Sequence, residues 1–572
     1  MASQSAKSVG SRIEKQLAFA YGTERVPHLL AQIENLVDHW QPAMSERRSW
    51  LDQRDAMLIT YADTLRSPNE APLATLHNFV GERIGDLVSA VHLLPFFPWS
   101  SDDGFSVKDY RAVDPAVGGW PDVAALAADY ELMFDAVINH ASAMSAWFEG
   151  FKAGIAPFDG YFVRADPAAD HSAVVRPRAL PLLTEVETTA GPVHVWTTFS
   201  ADQVDLDYRN PDLLLEVLDI LLDYCAKGAR FIRLDAIGFM WKEPGTGCMH
   251  LPETHALVQV MRAVVEATAP GTLIITETNV PHAENVSYFG DGAPEAHLVY
   301  QFPLPPLVQH AFQIGDAGAL TAWATTLEPP PAGTTFFNFL ASHDGIGMRP
   351  LEGLLPRDAI SRMAETVVER GGAVSLRAMP DGSTRPYELN ISYIDGLVPA
   401  EADDQTRAAA MIAAHGILLS MAGLPGIYIH SLLGSRSDHA GMAATGRNRS
   451  INRARLDAAA VRADLDDPVS LRHLVFSGIA HLLRTRAGEP ALHPDATQTV
   501  HALDPALFVV ERRTGGGRRL LAAINVTCEP RELWAADAAG WSDILTGERF
   551  GRSPIAMAPY AVRWLVAQGA GR

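Results

Sequence analysis

FIRLDAIGF, residues 231–239, sets Arg233 and Asp235 two positions apart among Phe231, Ile232, Leu234 and Ile237. Alternate residues of an extended chain share a face, so a guanidinium and a carboxylate stand on the same side of an apolar segment. One reading is a structural ion pair at a strand end. The other is a carboxylate aimed by its neighbour for chemistry. The rest of the chain decides between them. Comparable β-rich runs recur at MLITYAD (57–63), AVHLLPFF (90–97), MFDAVIN (133–139), LIITETN (273–279), HLVYQF (297–302), TFFNFLASHD (335–344) and GIYIHSL (426–432). Most are continuous apolar runs rather than alternations, as expected of parallel strands covered on both faces. Helical stretches such as PDLLLEVLDILLDYCAKG (211–228) separate several of them. Eight strand–helix units predict an α/β fold, a (β/α)8 TIM barrel with chemistry at the C-terminal strand ends.

Two gaps interrupt the rhythm and predict inserted subdomains, after strand 3 (140–209) and after strand 7 (347–404), since both exceed any ordinary loop. The barrel is then expected over 56–139, 210–346 and 405–485. Residues 486–572 change to alternating segments (LFVVERR, GRRLLAAINV, APYAVRWLVA) that predict an antiparallel β domain. Residues 1–55 predict an amphipathic helical extension, with Ile13, Leu17, Leu29, Leu30, Ile33 and Leu36 on its buried face. It is expected to pack on the barrel or on another subunit, and a homodimer is one expected assembly.

The chain has 572 residues and a formal net charge of −21, which excludes a basic field for nucleic acid or an anionic membrane. Cys225, Cys248 and Cys528 form no CxxC pair, and their odd number gives neither a disulfide framework nor a zinc pattern. The first residues lack the apolar centre of a secretion signal, and no run reaches the roughly 18 apolar residues of a membrane span. A cytoplasmic protein is expected.

Acidic groups end several strands: Asp135, followed by Asn139-His140; Arg233 with Asp235; Glu277; and His343-Asp344. The loop after strand 2 adds Asp102 and Asp103 in SSDDGF. Barrel closure brings these into one ring. Clustered carboxylates repel and are costly to desolvate, so packing alone does not account for them. Few have metal-ligand spacing, and no metal is expected. Retaining glycosyl transfer needs such a cluster: one ionised carboxylate as nucleophile and one protonated carboxyl as acid. Arg233 beside Asp235 predicts an ionised Asp235, and Glu277, with no adjacent cation, is the candidate for a raised pKa.

DAVINH, GARFIRLDAI, IITETN and FLASHDG, in this order, resemble the four sequence regions of glycoside hydrolase family 13, the α-amylase family. The resemblance implies Asp235 as nucleophile, Glu277 as general acid/base and Asp344 as transition-state stabiliser. Arg233, His140 and His343 would position the nucleophile and the sugar, and Asp102 would close the subsite beyond the ring. Within the family, LPFFPWSSDDGFSVKDYRAVDPAVG, RPRALP, WTTFSADQVDLDY and SHDGIG look most like the sucrose-phosphorylase group, in which phosphate rather than water attacks the glucosyl-enzyme. That likeness implies Arg178 and Arg453 as cations near the acceptor, Phe199 as an aromatic platform and Tyr387 in a mobile acceptor loop. Asn279 replaces a histidine common in that group, and Arg385-Pro386-Tyr387-Glu388 replaces its usual acceptor-loop sequence. These departures look more like the branch whose aglycone is glycerate, with Arg385 as the partner of its carboxylate. Sucrose, sucrose 6-phosphate and glucosylglycerol stay open as substrates, as do a hydrolase or transglucosidase and a catalytically silent barrel. Phosphate is implied as co-substrate, with no cofactor.

Overall fold

The computed structural model describes residues 2–178, 180–378, 383–535, 540–551 and 554–567. All eight anticipated runs form strands of one closed parallel barrel. They are β1 (Met57–Thr60), β2 (Ala90–Leu93), β3 (Glu131–Ala136), β4 (Ala229–Leu234), β5 (Leu273–Thr276), β6 (Leu298–Tyr300), β7 (Thr335–Phe339) and β8 (Leu424–Tyr428). Sequential strands are neighbours, and β1 closes on β8 with Met57 opposite Gly426 and Leu58 opposite Ile427. Ile232, Leu234, Ile274, Ile275, Val299 and Phe337 are fully buried, as the continuous apolar runs require.

Helix α3 (Pro211–Ala226) leads into β4, and α4 (Pro252–Thr268) leads into β5. Both begin on proline, whose missing N–H costs nothing in the first turn. The Asn210 side chain caps α3 by accepting from the Asp212 N–H at 3.0 Å. Gly228, at φ 108°, makes the reversal from α3 into β4 in a conformation that L side chains rarely adopt.

The N-terminal helices α1 (Ala2–Tyr21) and α2 (Val26–Trp40) pack on the barrel's own outer helices. Arg12 pairs with Glu266 at 2.6 Å, and Gln16 donates to Gln259 at 2.9 Å, both partners on α4. Ile13, Leu17, Leu29 and Ile33 are buried as expected. Leu30 and Leu36 are only half-buried, and Val9, Val26 and Val37 complete the apolar face instead.

Between β3 and β4 the chain forms a hairpin of Leu183–Thr188 with Gly191–Trp196, and a shorter pairing of His140–Ser142 with Gln203–Asp205. Between β7 and β8, a helix (Arg357–Glu369) precedes a hairpin of Ala373–Ala378 with Thr384–Asn390. Both segments leave from C-terminal strand ends and wall the barrel mouth. A six-stranded antiparallel sheet follows the barrel, in the region where alternation predicts one. Arg512 in this sheet donates to the Ser420 carbonyl at 3.0 Å, and the Trp564 indole donates to the Ser420 hydroxyl at 3.0 Å.

Candidate active site

Strand register assembles the ring. Asp135 on β3 is the partner of Arg233 on β4, and Arg233 is the partner of Ile275 on β5, two residues before Glu277. Arg233 is buried and its guanidinium becomes a hub. Its Nη1 donates to Asp135 Oδ1 at 2.5 Å and to Asp235 Oδ1 at 2.6 Å, and its Nη2 lies 3.8 Å from Glu277 Oε2. Asp135 is held from behind by His92 Nε2 at 2.7 Å, a contact no local sequence signal announces. Asp135 thus orients Arg233, and Asp235 and Glu277 face one cavity from either side of the same cation.

The backbone adds a device. Ala236, directly after Asp235, sits at φ 51°, ψ 29°, a left-handed conformation costing roughly 1 kcal/mol or more for a non-glycine residue. It turns the chain out of the strand beside Asp235 and aims the Ala236 N–H at Glu277 Oε2, 3.1 Å away.

Electrostatics separates the acids. Burial raises Glu277 to about 7, with the negative charges of Asp235 and Asp344 adding to the effect against Arg233. Burial also raises Asp235 above the ordinary carboxylate value, although Arg233 opposes the rise. This differs from the sequence expectation that Arg233 lowers Asp235 outright, because the desolvation of a fully enclosed carboxylate outweighs one guanidinium. Asp235 nevertheless has the 2.6 Å guanidinium bond and Glu277 only the 3.8 Å contact, so a proton shared by the two resides on Glu277. Asp344 is pulled well below the usual range: burial acts upward, but Arg449, His343, Arg453 and Arg233 prevail. Burial holds His343 neutral, at about 3, despite Asp344 beside it.

The cavity is lined by Asp235, Glu277 and Asp344 together with Asp102, His140, Phe199, Arg233, His343, Arg178, Tyr387, Glu388 and Asn279. Asp102 Oδ2 accepts from Arg178 at 2.9 Å and from Gln203 at 3.3 Å. Burial works against its ionisation, yet Arg178, Arg449 and Arg453 keep it far below the ordinary value. His140 Nε2 lies 2.8 Å from the Phe105 carbonyl and 3.2 Å from Gln203 Nε2. Phe199 packs 5.3 Å from the His140 ring, with the Arg178 guanidinium 5.6 Å above its face. Phe105 stacks on His343 at 4.6 Å and 4°.

Two expected residues sit elsewhere. Arg385 lines a separate surface cavity with Glu352 and Arg357, not the one holding Asp235. A bulge in the hairpin, where Ser375 and Leu376 oppose Glu388 and Pro386, breaks the side-chain alternation. Tyr387 and Glu388 both reach the catalytic cavity, while Arg385 beyond the bulge does not. Arg453 lines an adjoining cavity. Its Nη1 binds Asp103 at 2.5 Å and its Nε donates to the His343 carbonyl at 2.6 Å, so it braces the loop that carries Asp344. Glu388 is on the wall, but its carboxylate is occupied by Arg449 at 2.5 and 3.0 Å. Arg449 also binds Asp344 at 2.6 Å. Gln203, Arg449 and Phe105 therefore join the site, and their partners are too distant in sequence for local patterns to reveal. Among the described residues no cluster of His, Cys, Asp and Glu is arranged to hold a metal ion, and no helix is long and apolar enough to cross a membrane.

A closed parallel barrel with two buried carboxyl groups of unequal proton affinity at its C-terminal mouth has the fold and the acid pair that retaining glycosyl transfer requires. Residues 84–344 match the alpha-amylase catalytic domain, and the chain belongs to the α-amylase family, glycoside hydrolase family 13. Within it the chain is similar over almost its full length to glucosylglycerate phosphorylases. The one from Escherichia coli is 44% identical, over 95% of this chain and 97% of its own. The one from Allomeiothermus silvanus is 46% identical, over 97% and 98%. The solved structure of sucrose 6F-phosphate phosphorylase from Thermoanaerobacter thermosaccharolyticum shares the fold, with a TM-score of 0.73 at 22% identity, over 84% of this chain and 96% of that one.

Proposed function

We propose that the protein is a retaining α-glucoside phosphorylase that converts glucosylglycerate and phosphate reversibly into α-glucose 1-phosphate and glycerate. The observation that carries the reading is the carboxyl pair around Arg233, one bound by the guanidinium and one holding a proton to about 7. The full-length likeness to glucosylglycerate phosphorylases supports the choice of aglycone.

Asp235 attacks the anomeric carbon as Glu277 passes its proton to the departing glycerate oxygen, and a β-glucosyl ester forms on Asp235. Phosphate then attacks the same carbon. The ester bond to Asp235 breaks, and Glu277 takes up the proton that phosphate releases. Two inversions retain the α configuration. Asp344 is placed to grip sugar hydroxyls as positive charge develops, and Asp102 with Arg178, Gln203 and His140 to fix the far edge of the ring. The chemistry needs no organic cofactor and no metal, with phosphate as second substrate. We place the enzyme in the cytoplasm and apart from nucleic acid, a reading supported by the net charge of −21 and three unpaired cysteines.

Incubation with glucosylglycerate, with and without phosphate, tests the proposal by product analysis. Phosphate-dependent glucose 1-phosphate, matched mole for mole by glycerate, is expected. Free glucose formed equally well without phosphate refutes phosphorolysis, and better cleavage of sucrose, sucrose 6-phosphate or glucosylglycerol refutes the aglycone.

A further inference from the structure

Glycerate differs from glycerol and fructose in bearing a carboxylate, so the aglycone site needs a cation that is free to bind it. Most guanidiniums at the cavity are already committed. Arg178 is bound to Asp102, Arg449 to Asp344 and Glu388, and Arg377 to Glu352. Arg176 makes no ion pair among the described residues, but it is exposed at the rim, where water weakens any single contact.

Arg349 is different. Its side chain is 19% exposed and lines the catalytic cavity beside Met249, Glu277 and Asn279. Its polar contacts are weak ones, 3.7 Å to Glu284 Oε2 and an N–H donated to Met249 Sδ at 3.7 Å. Glu284 is itself 43% exposed, so this pairing holds the side chain in place without using up its five N–H donors. The chain reaches Arg349 by passing over Asn279, two residues beyond Glu277. A Cβ on Gly347 would fall 2.5 Å from the Asn279 amide nitrogen, so a side chain there would displace Asn279. Next to the proton donor for the leaving oxygen there is thus an under-used guanidinium.

We propose that Arg349 binds the aglycone carboxylate, so that the loop after β7, and not Arg385 on the hairpin, sets the preference for an anionic acceptor. This rests on the phosphorylase reading above. A planar guanidinium meets a carboxylate through two parallel hydrogen bonds, which no neutral polyol can return.

The test runs the reaction from α-glucose 1-phosphate and compares kcat/KM for glycerate with kcat/KM for glycerol, so that effects on the common donor cancel in the ratio. Arg349→Gln should lower the glycerate-to-glycerol ratio by roughly 100-fold, as expected for loss of a partly buried charged contact. Arg349→Lys, which keeps the charge but loses the fork, should fall between the two. An unchanged ratio in both variants overturns the proposal, as does a larger fall in Arg176→Gln or Arg385→Gln than in Arg349→Gln. If the wild-type enzyme forms no glucoside from glucose 1-phosphate with any acceptor, the phosphorylase reading itself has failed.

Discussion

Glu277→Gln should stabilise the folded protein above pH 7 while removing its activity. The carboxyl is raised from an ordinary 4.5 to about 7, chiefly by burial. Below the unfolded value both states carry the proton, and Gln and Glu behave alike. Between 4.5 and 7 the unfolded chain gives up its proton while the native site retains it, so wild-type stability falls relative to the variant as pH rises. Above the native value the whole difference is present, about 3 kcal/mol at 1.36 kcal/mol for each pH unit separating the two values. Glutamine keeps the shape of the side chain and an oxygen for the Ala236 N–H, now 3.1 Å from the Glu277 carboxylate, so the charge is the main thing removed. For a chain of this length, roughly 3 kcal/mol corresponds to about 2–3 °C in Tm. Calorimetry of both proteins at pH 5 and pH 8 measures it. The variant should melt higher at pH 8, with the gap closing toward pH 5. Equal melting at pH 8, or a gap independent of pH, refutes the claim that burial of a charge sets the proton affinity of Glu277.

The same carboxyl predicts the rate profile. Glycosylation requires Glu277 protonated, so kcat/KM for phosphorolysis should fall as pH rises through about 7; a profile flat to pH 9 contradicts the acid assignment. Asp135→Asn should cost about 3–5 kcal/mol in denaturant unfolding, because it removes one of the carboxylates that neutralise the buried Arg233 hub. A loss below about 1 kcal/mol would mean that Asp235 alone satisfies the guanidinium.

The barrel was legible because burial on both faces writes each strand as an apolar run, and the chemical residues follow directly at its end. Asp235, Glu277 and Asp344 stand at such positions, and the resemblance to the α-amylase family singled them out among the other strand-end acids. Arg385 could not be placed, since one inserted residue at Tyr387 reverses the side-chain alternation and nothing in RPYELN marks the insertion. Leu30 and Leu36 were assigned to the buried face from spacing alone, but α1 and α2 also pack on each other, which rotates that face toward Val26 and Val37. The partners of Asp344 and Asp135, Arg449 and His92, come from distant segments and carry no local pattern. Even the sign of the Asp235 shift depended on the completeness of its enclosure, which a neighbouring arginine in the sequence cannot report.

The distribution of charge explains why one acid keeps its proton and why an anionic acceptor needs its own cation. Arg178 is matched to Asp102 and Arg453 to Asp103, while Arg233 is shared by Asp135 and Asp235 and Arg449 by Asp344 and Glu388. Glu277 is left with a 3.8 Å contact to a guanidinium that already serves two carboxylates. Ionising it would add an unmatched charge to a desolvated site, so protonation is the cheaper state. The two shared arginines still leave the floor of the cavity with more negative than positive charge. That excess favours positive charge developing at the anomeric carbon, but it opposes the approach of glycerate and of phosphate. A site that is electronegative where the sugar reacts must therefore be electropositive where the acceptor enters, and Arg349, outside every strong pairing in the ring, is the half-buried guanidinium in position to make it so.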